Sequence, residues 1–494
     1  MSNANHVATA PDLLSYANGA LTEPLSLRLD DGSLLQVDAV VRRVPAKRVV
    51  GRGVLNGKPV YAKCFIGPRA AQYAARDKRG AIWLAEAGLA TPALLLDTAI
   101  EQQGASVLVY EAISASNAEQ VWQATPDDQR LPLAMRLVEA VAAHHRAGLS
   151  QTDLYLKNFL VDGDAIHTLD GDGIRRLSGL GRLGKRLHNL AVLLSKLDVA
   201  RIDGWLPALL QQYANVMDEP PPEFFDMQRR IARLWQQEMQ DYARKVQRTC
   251  TDVRTLNAAT GYIAVNRLYD SPGLHAALLA PNALLEGPGV SRLKSGNTCT
   301  VAATEIDQRK LVIKRYNIKS FWHGLGRAWR PSRAVVSWAN TFRLQLKGIA
   351  TPVAVAVMER RRWGFREEAY LLTEFVHARD AVEFFADQTM PDTARALVAQ
   401  RIAQLFYQLY CLQLEHGDFK ATNLLIQDQE PLLIDLDSMQ QHACKRSFLR
   451  RHVRDVKRFF RNWQSDLATR QLLMSAFKTV YTDARVLERA GIAN

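Results

Sequence analysis

Short runs of alternating apolar and polar residues give way to longer segments with apolar residues at i, i+3 and i+4, and the chain goes through this change twice. Residues 1–34 read as a polar lead-in with one short helix or strand. Residues 35–66 alternate with the strand period and carry a lysine, Lys63, in PVYAKCF. Residues 69–87 then read as a helix that packs over that lysine. A second lysine, Lys314, stands in the β-like run KLVIKRY. Two strand-like runs, VLVYEAI (107–113) and AYLLTEFV (369–376), are followed by the amphipathic helices LPLAMRLVEAVAAHHRAG and RALVAQRIAQLFYQLYCLQ. DEPPPEFF (218–225) is a Pro-rich break before a long helix over 226–249. PNALLEGPGVSR (281–292) has two Pro and two Gly and is the best interdomain linker. The pattern predicts domains at 1–280 and 291–494, joined through 281–290.

Each half also carries the spacing Asp-x4-Asn-x11-Asp. The first copy is Asp153, Asn158 and Asp170; the second, 265 residues on, is Asp418, Asn423 and Asp435. If Asp and Asn each fill roughly one position in twenty, such a triplet arises by chance about 0.06 times in a chain this long. Two copies point to one duplicated element. The five-residue step from Asp to Asn suits a loop between a helix and a short strand. The twelve-residue step to the next Asp suits a β-hairpin, with turn signals at Asp162-Gly163 and at Asp428 to Pro431.

A strand lysine followed by Asp, Asn and Asp, in that order, is the set of parts that phosphoryl transfer from ATP requires. A phosphoryl group in transit spreads charge over three oxygens, so catalysis is mostly positioning and neutralisation. Lys63 and Lys314 are the candidates for holding the α/β-phosphates. Asp153 and Asp418 would accept the proton of an attacking hydroxyl. Asn158 with Asp170, and Asn423 with Asp435, supply the hard oxygen ligands that Mg²⁺ (or Mn²⁺) prefers, and a divalent ion is expected for tight ATP binding.

On these residues the chain resembles the protein-kinase-like superfamily, and more specifically the bacterial lipopolysaccharide-core kinases of the Kdo/WaaP (InaA-type) family. The segments that carry the closer resemblance are GLATP (88–92), GIATP (348–352), LYLKNFL (154–160), LDGDGI (169–174) and VRDVKRFFRNW (453–463). The resemblance implies an α+β protein of two tandem protein-kinase-like folds, each with a small β-rich lobe and a larger helical lobe. It implies a lysine beyond each catalytic aspartate, here Lys157 and Lys420, that can reach the transferred phosphate. It also implies a lipopolysaccharide core precursor as acceptor, phosphorylated on sugar hydroxyls at the cytoplasmic face of the inner membrane.

Several positions depart from the family pattern. Gln151-Thr152 stands where the second copy has His416-Gly417. The helix glutamate that pairs with the strand lysine is missing. Counting back from Thr91 and Thr351 reaches Asp77 and Ser337, Glu86 is a fallback in the first copy, and the second has no evident candidate. Gly51, Gly53 and Gly57 suit a phosphate-covering hairpin in the first copy, or plain turns; Gly296 stands nearly alone in the second. Asp172 and Asp437 are second metal ligands or caps of the following turn.

Composition narrows the classes further. Five cysteines show no C-x-x-C pair and no zinc spacing, which points to reduced thiols in the cytosol. The N-terminus lacks the basic start and apolar core of a signal peptide, and no run approaches a membrane span. His144, His145 and His416 have no metal-ligand spacing and read as core or loop histidines. The net charge of +13 is concentrated in 309–333 and in 445–461, each with eight Lys or Arg. In the latter, Leu449, Val453, Val456, Phe460 and Trp463 share a helical face, for packing inward or for peripheral contact with an anionic membrane surface. No nucleic-acid module accompanies the basic stretches, so nucleic acid is not an expected partner. Two classes remain: a kinase, whether for lipopolysaccharide core, a small alcohol or protein Ser/Thr, and a nucleotide-binding pseudokinase scaffold. The second copy is expected to transfer phosphate, and the first at least to bind nucleotide.

Overall fold

The computed structural model describes residues 10–19, 24–100, 105–179, 181–258, 261–287, 290–296, 299–317, 331–362, 365–481 and 483–492. The chain divides into two compact units, Met1–Ile231 and Ala232–Asn494. This differs from the expected boundary at 281–290. The strands Val253–Ala258 and Gly261–Asn266, expected in the first domain, pair into the sheet of the second unit, the latter along residues 356–360. The basic, aromatic stretch 318–330 lies outside the described residues.

The first unit begins with α1 (Ala10–Ala17) and an antiparallel sheet of β1 (Leu25–Arg28), β2 (Leu34–Val44), β3 (Arg48–Leu55), β4 (Lys58–Phe65), β5 (Leu94–Ala99) and β6 (Ser106–Glu111), in the order β1-β2-β3-β4-β6-β5. Strand alternation sorts the side chains. Ala62, Cys64, Val107 and Val109 enter one apolar cluster with Leu27 and Leu35. Lys63, Phe65, Leu108 and Tyr110 point the other way, toward α2 (Ala70–Glu86). The buried stripe of α2 is narrow: Ala70, Ala74, Asp77, Gly80, Ala81 and Leu84. α3 (Ala118–Ala124) opens with a capping box between Asn117 and Gln120. Then come α4 (Leu131–Arg146), the hairpin Phe159–Asp162 with Ala165–Thr168, α5 (Arg182–Leu194), α6 (Ile202–Met217) and α7 (Phe224–Lys245), within which the two units divide.

The sheet of the second unit has seven strands: β7 (Val253–Ala258), β8 (Gly261–Asn266), β9 (Ser291–Ser295), β10 (Cys299–Ile306), β11 (Arg309–Tyr316), β12 (Ala354–Arg362) and β13 (Phe365–Glu374), in the order β7-β8-β12-β13-β11-β10-β9. One face packs under the helices Pro272–Leu279 and Ala283–Glu286. The other meets α8 (Arg333–Leu346) through Val335, Trp338 and Phe342. Lys314 and Tyr316 lie toward α8, as Lys63 does toward α2. α9 (Asp392–Leu412), the hairpin Leu424–Gln427 with Glu430–Leu433, and α10 (Lys445–Phe460) complete the helical part. Within the basic segment, Phe448, Val456, Phe460 and Trp463 are buried, Leu449 and Val453 are half-buried, and the flanking Lys445, Arg446, Arg450, Arg451, Arg454 and Lys457 are exposed. The stripe therefore packs inward while the cations face out.

Candidate active sites

In the first unit, β4 places Lys63 so that its Nζ donates to Asp77 Oδ2 at 2.7 Å and to Asp170 Oδ1 at 3.3 Å. Asp77 on α2 thus takes the place of the missing glutamate; the fallback, Glu86, is exposed at the end of that helix. Asp77 is fully buried and also accepts from the Tyr110 hydroxyl at 2.5 Å. Burial outweighs Lys63 and raises the Asp77 carboxyl above the ordinary range. Burial also pushes on Asp170, but there Lys63 and Arg48 win and hold it well below that range. The helix reaches this position through two glycines. A Cβ on Gly80 would lie 1.9 Å from the Gly171 carbonyl oxygen, and one on Gly171 would lie 2.1 Å from that of Asp77. Backbone therefore meets backbone, which sets Asp77 beside Asp170.

The second unit solves the same problem differently. Lys314 Nζ donates to Asp435 Oδ1 at 2.5 Å and to Asp437 Oδ2 at 3.5 Å. Arg333 on α8 holds Asp437 at 2.6 Å. Asp437 is thus the acid that the sequence seemed to lack, and it is neither a bare cap nor a free ligand. Ser337, at the place of Asp77, shares a hydrogen bond with Tyr316 instead. Where the first unit has Gly80, the second has Asn340, whose Nδ2 donates to the carbonyls of Leu436 and Met439. Burial alone lowers the pKa of Lys314, but Tyr316, Asp435 and Asp437 hold it above the ordinary lysine value. Asp435, pushed up by burial, is held below the ordinary carboxylate range by Lys314.

Asp170 and Asp435 each adopt a left-handed backbone, φ 67° and 61°, at the head of a one-turn helix. This is an uncommon conformation for a residue other than glycine, and such residues concentrate at functional sites. The amides of Asn158 and Asn423 are fixed alike. Their Nδ2 atoms donate to the carbonyls of Asp153 and Asp418 at 2.8 and 2.9 Å, which leaves each amide oxygen as an acceptor. Each unit thus sets out an amide oxygen and a carboxylate, the donor types that a hard divalent cation takes.

The loops that carry Asp153 and Asp418 are braced from behind. His416 Nε2 donates to the Ile434 carbonyl at 3.1 Å; Gln151 Nε2 donates to the corresponding carbonyl, that of Leu169, at the same distance. Gln151 thus replaces the bracing bond of the histidine. A second brace was not read from the sequence. Buried Asp455 on α10 accepts from the backbone N–H groups of His416 and Gly417 at 2.8 and 3.1 Å. Arg458, one turn along, donates to the Gly417 carbonyl at 2.8 Å and to Asp418 Oδ1 at 2.7 Å. Lys420 lies 3.0 Å from the other oxygen of Asp418. The counterpart of Asp455 is Asn189 on α5, which donates to the Gln151 carbonyl. Asp153 is exposed, with no ion-pair partner among the described residues, and Lys157 is exposed at the cleft. The signal for Asp455 was available: it follows Asp418 by 37 residues, and Asn189 follows Asp153 by 36.

The glycines of the first unit need correction. Gly51 and Gly53 lie within β3, away from the cleft, because bulged β2 crowds them; a Cβ on Gly53 would lie 1.9 Å from the Gln36 carbonyl oxygen. Gly57 (φ 77°) forms the β3–β4 turn with Asn56. The hairpin at the cleft is β2–β3, which turns at residues 45–47 without a glycine. Gly296, by contrast, does sit at the β9–β10 turn. The first cleft encloses about 630 Å³, lined by Val50, Tyr61, Lys63, Ile113, Asn158 and Asp170 among others, a size that suits a small ligand.

His144 and His145 are core residues. His145 bridges the Tyr213 hydroxyl and Asn189 Oδ1, each at 2.9 Å. Burial pulls its pKa from 6.5 to about 4, and that of His452 in the second unit to about 3. Because the folded values lie below the unfolded one, stability is complete above pH 6.5 and falls as the unfolded chain takes up protons below it. Each buried histidine lowers stability by about 1.4 kcal/mol for every pH unit between 6.5 and its folded value. Asp170, with a depressed folded pKa, loses its contribution only as pH falls below 3.8. The melting temperature should therefore decline steadily from pH 6.5 to 5; a flat profile there would contradict the assignment of neutral buried histidines.

Residues 290–481 match the model of the lipopolysaccharide kinase (Kdo/WaaP) family. No curated protein sequence matches the chain. Similar solved structures include WaaP in complex with acyl carrier protein, at 16% identity, 43% of this chain, 88% of that chain and a TM-score of 0.33. Another is the PknI kinase domain of Mycobacterium tuberculosis, at 16%, 33%, 72% and 0.25. A third is vaccinia related kinase 3, at 14%, 47%, 96% and 0.27. Among the described residues, no helix is long and apolar enough to cross a membrane. The segment that holds Lys314, Asp418, Asn423 and Asp435 thus matches a kinase family, which supports a phosphotransferase with a hydroxyl group as acceptor.

Proposed function

We propose that this protein is an ATP-dependent kinase that phosphorylates sugar hydroxyls of a lipopolysaccharide core precursor at the cytoplasmic face of the inner membrane. The second unit is the site of transfer. The observation that carries this reading is the constellation on Asp418: Arg458 fixes one carboxylate oxygen and Lys420 lies beside the other, on a loop braced by Asp455. That constellation falls within the segment matched by the family model.

Asp418 takes the proton of the acceptor hydroxyl as its oxygen attacks phosphorus. Lys420 and Arg458 offset the charge of the phosphoryl group as it passes. Lys314 holds the α/β-phosphates once nucleotide draws it from Asp435. The Asn423 amide oxygen and the Asp435 carboxylate would hold a divalent ion, which would supply charge neutralisation on the phosphates. Asn158 and Asp170 offer the same pair of donors in the first unit. The outward cations of α10 suit an anionic membrane surface, where each contributes about 1 kcal/mol.

A pseudokinase role for the first unit has a specific observation in its favour. Val192 stands one turn beyond Asn189, where the second unit has Arg458 beyond Asp455, so no arginine reaches Asp153 from α5. The first unit then binds nucleotide in its cleft and transfers little or none.

Purified protein given ATP, Mg²⁺ and a core-glycolipid acceptor should release ADP faster with the acceptor than without it. Asp435→Ala should abolish the acceptor-dependent part. It should also abolish Mg²⁺-dependent nucleotide binding in its own unit. An Asp435→Ala variant with unchanged binding and turnover would remove the metal assignment.

A further inference from the structure

Where a phosphate-covering hairpin relies on glycines to bring its backbone close, the β2–β3 hairpin of the first unit presents arginines. Arg42 and Arg48 flank its turn. Arg48 Nη1 lies 3.6 Å from Asp170 Oδ1 and 3.7 Å from Asp77 Oδ2. Its side chain is only 12% exposed and lies over the Phe65 ring at 5.7 Å. Arg42 approaches the other oxygen of Asp170 at 3.8 Å. With Lys63, three cations converge on two carboxylates, and all three line the 630 Å³ cleft.

The second unit is built otherwise, and the strand register shows it. Arg48 pairs with Phe65, two residues past Lys63. The residue that pairs with Tyr316, two past Lys314, is Cys299. There the added cation is Arg333, which comes from the helix and is committed to Asp437.

This difference changes what each cleft requires. A triphosphate needs its negative charge offset, and a divalent ion ordinarily does this. A fixed guanidinium does the same through paired charge-assisted hydrogen bonds to phosphate oxygens. In the first unit a divalent ion at Asp170 would also stand beside Lys63 and Arg48, and like charges at such distances repel strongly in a partly buried site.

We propose that the first unit is a nucleoside-triphosphate site that needs no divalent cation, with Arg48 and Arg42 taking the phosphates in its place. This rests on the reading that the cleft binds nucleotide, and is independent of whether it transfers phosphate. The second unit retains the metal-dependent arrangement.

The test is calorimetric titration of the full chain with ATP, in Mg²⁺ and in EDTA. Two equivalents should bind in Mg²⁺ and one in EDTA, and Asp435→Ala should leave the EDTA site intact. Arg48→Gln should weaken that site by about tenfold or more, the loss expected for one charge-assisted contact, and Arg48→Lys should recover part of it. Thermal unfolding of the same variants identifies any that fail to fold, and Arg42→Gln, at a more exposed position, then gives the second reading. Loss of all binding in EDTA, with Mg²⁺-dependent binding preserved, would overturn this proposal alone. Binding in EDTA that is indifferent to both arginine variants would also overturn it, leaving Arg48 as a counter-ion for buried Asp77. Absence of ATP binding in either condition would instead overturn the nucleotide reading itself.

Discussion

Asp418→Asn should lower acceptor phosphorylation by a factor on the order of 10²–10⁴, the usual cost of removing a general base. The substitution is close to isosteric, and the amide oxygen can still accept from Arg458, which now holds Oδ1 at 2.7 Å. The loop should keep its shape while its capacity to take a proton is lost. The fall should therefore appear in kcat, with nucleotide affinity little changed. Asp153→Asn should cost much less, because the first unit brings no arginine from α5 to that carboxylate. Initial rates of phosphate incorporation in the two variants check the ordering. The reverse ordering would move catalysis to the first unit and leave the second as the scaffold.

Asp455→Ala should have the largest effect on folding. Asp455 is 4% exposed and accepts from two backbone donors of the loop that carries Asp418. Its removal leaves the buried His416 donor without a partner, at about 1–3 kcal/mol, and weakens the hold on the half-buried Gly417 N–H. A loss of about 3 kcal/mol in the second unit is expected, seen as a lower denaturant midpoint. Activity should also fall, because the segment that fixes Asp418 loses its brace. Asp455→Asn keeps an acceptor oxygen and should recover much of the stability. If the alanine variant unfolds at the wild-type midpoint, the brace is not a stabilising one.

Much of this was legible in the sequence because it rests on local rules. Period-two alternation located the strands of both lysines, and the long apolar helices located the segments before the loops of Asp153 and Asp418. The Asp-x4-Asn-x11-Asp spacing indicated the hairpins that lead to Asp170 and Asp435, but not the left-handed backbone of either aspartate. What escaped was long-range. For Lys63 the sequence left Asp77 and Glu86 open and packing selects Asp77, whereas Asp437, from the turn after Asp435, was not read as the partner of Lys314. Gly80 and Asn340 occupy equivalent places and attach their helices by opposite means, close backbone contact and side-chain hydrogen bonds. Gly51 and Gly53 looked like phosphate-loop residues because glycine marks close approach of any kind; here the approaching group is strand β2. Asp455 stands alone as an acid in a basic helix, and nothing local reveals that it faces inward. The domain boundary was misplaced because 281–292 has the composition of a linker, while the pairing of β8 with β12 is invisible without the fold.

In the proposed reaction the second unit moves a phosphoryl group from ATP to a hydroxyl of a core glycolipid. Mass spectrometry of that acceptor, after incubation with ATP, Mg²⁺ and the purified chain, tests it most directly. A product heavier by one phosphoryl group should form with the wild-type protein and with Asp153→Asn and be nearly absent with Asp418→Asn. An acceptor recovered unmodified from the wild-type protein, under conditions where ATP binds both units, would contradict it.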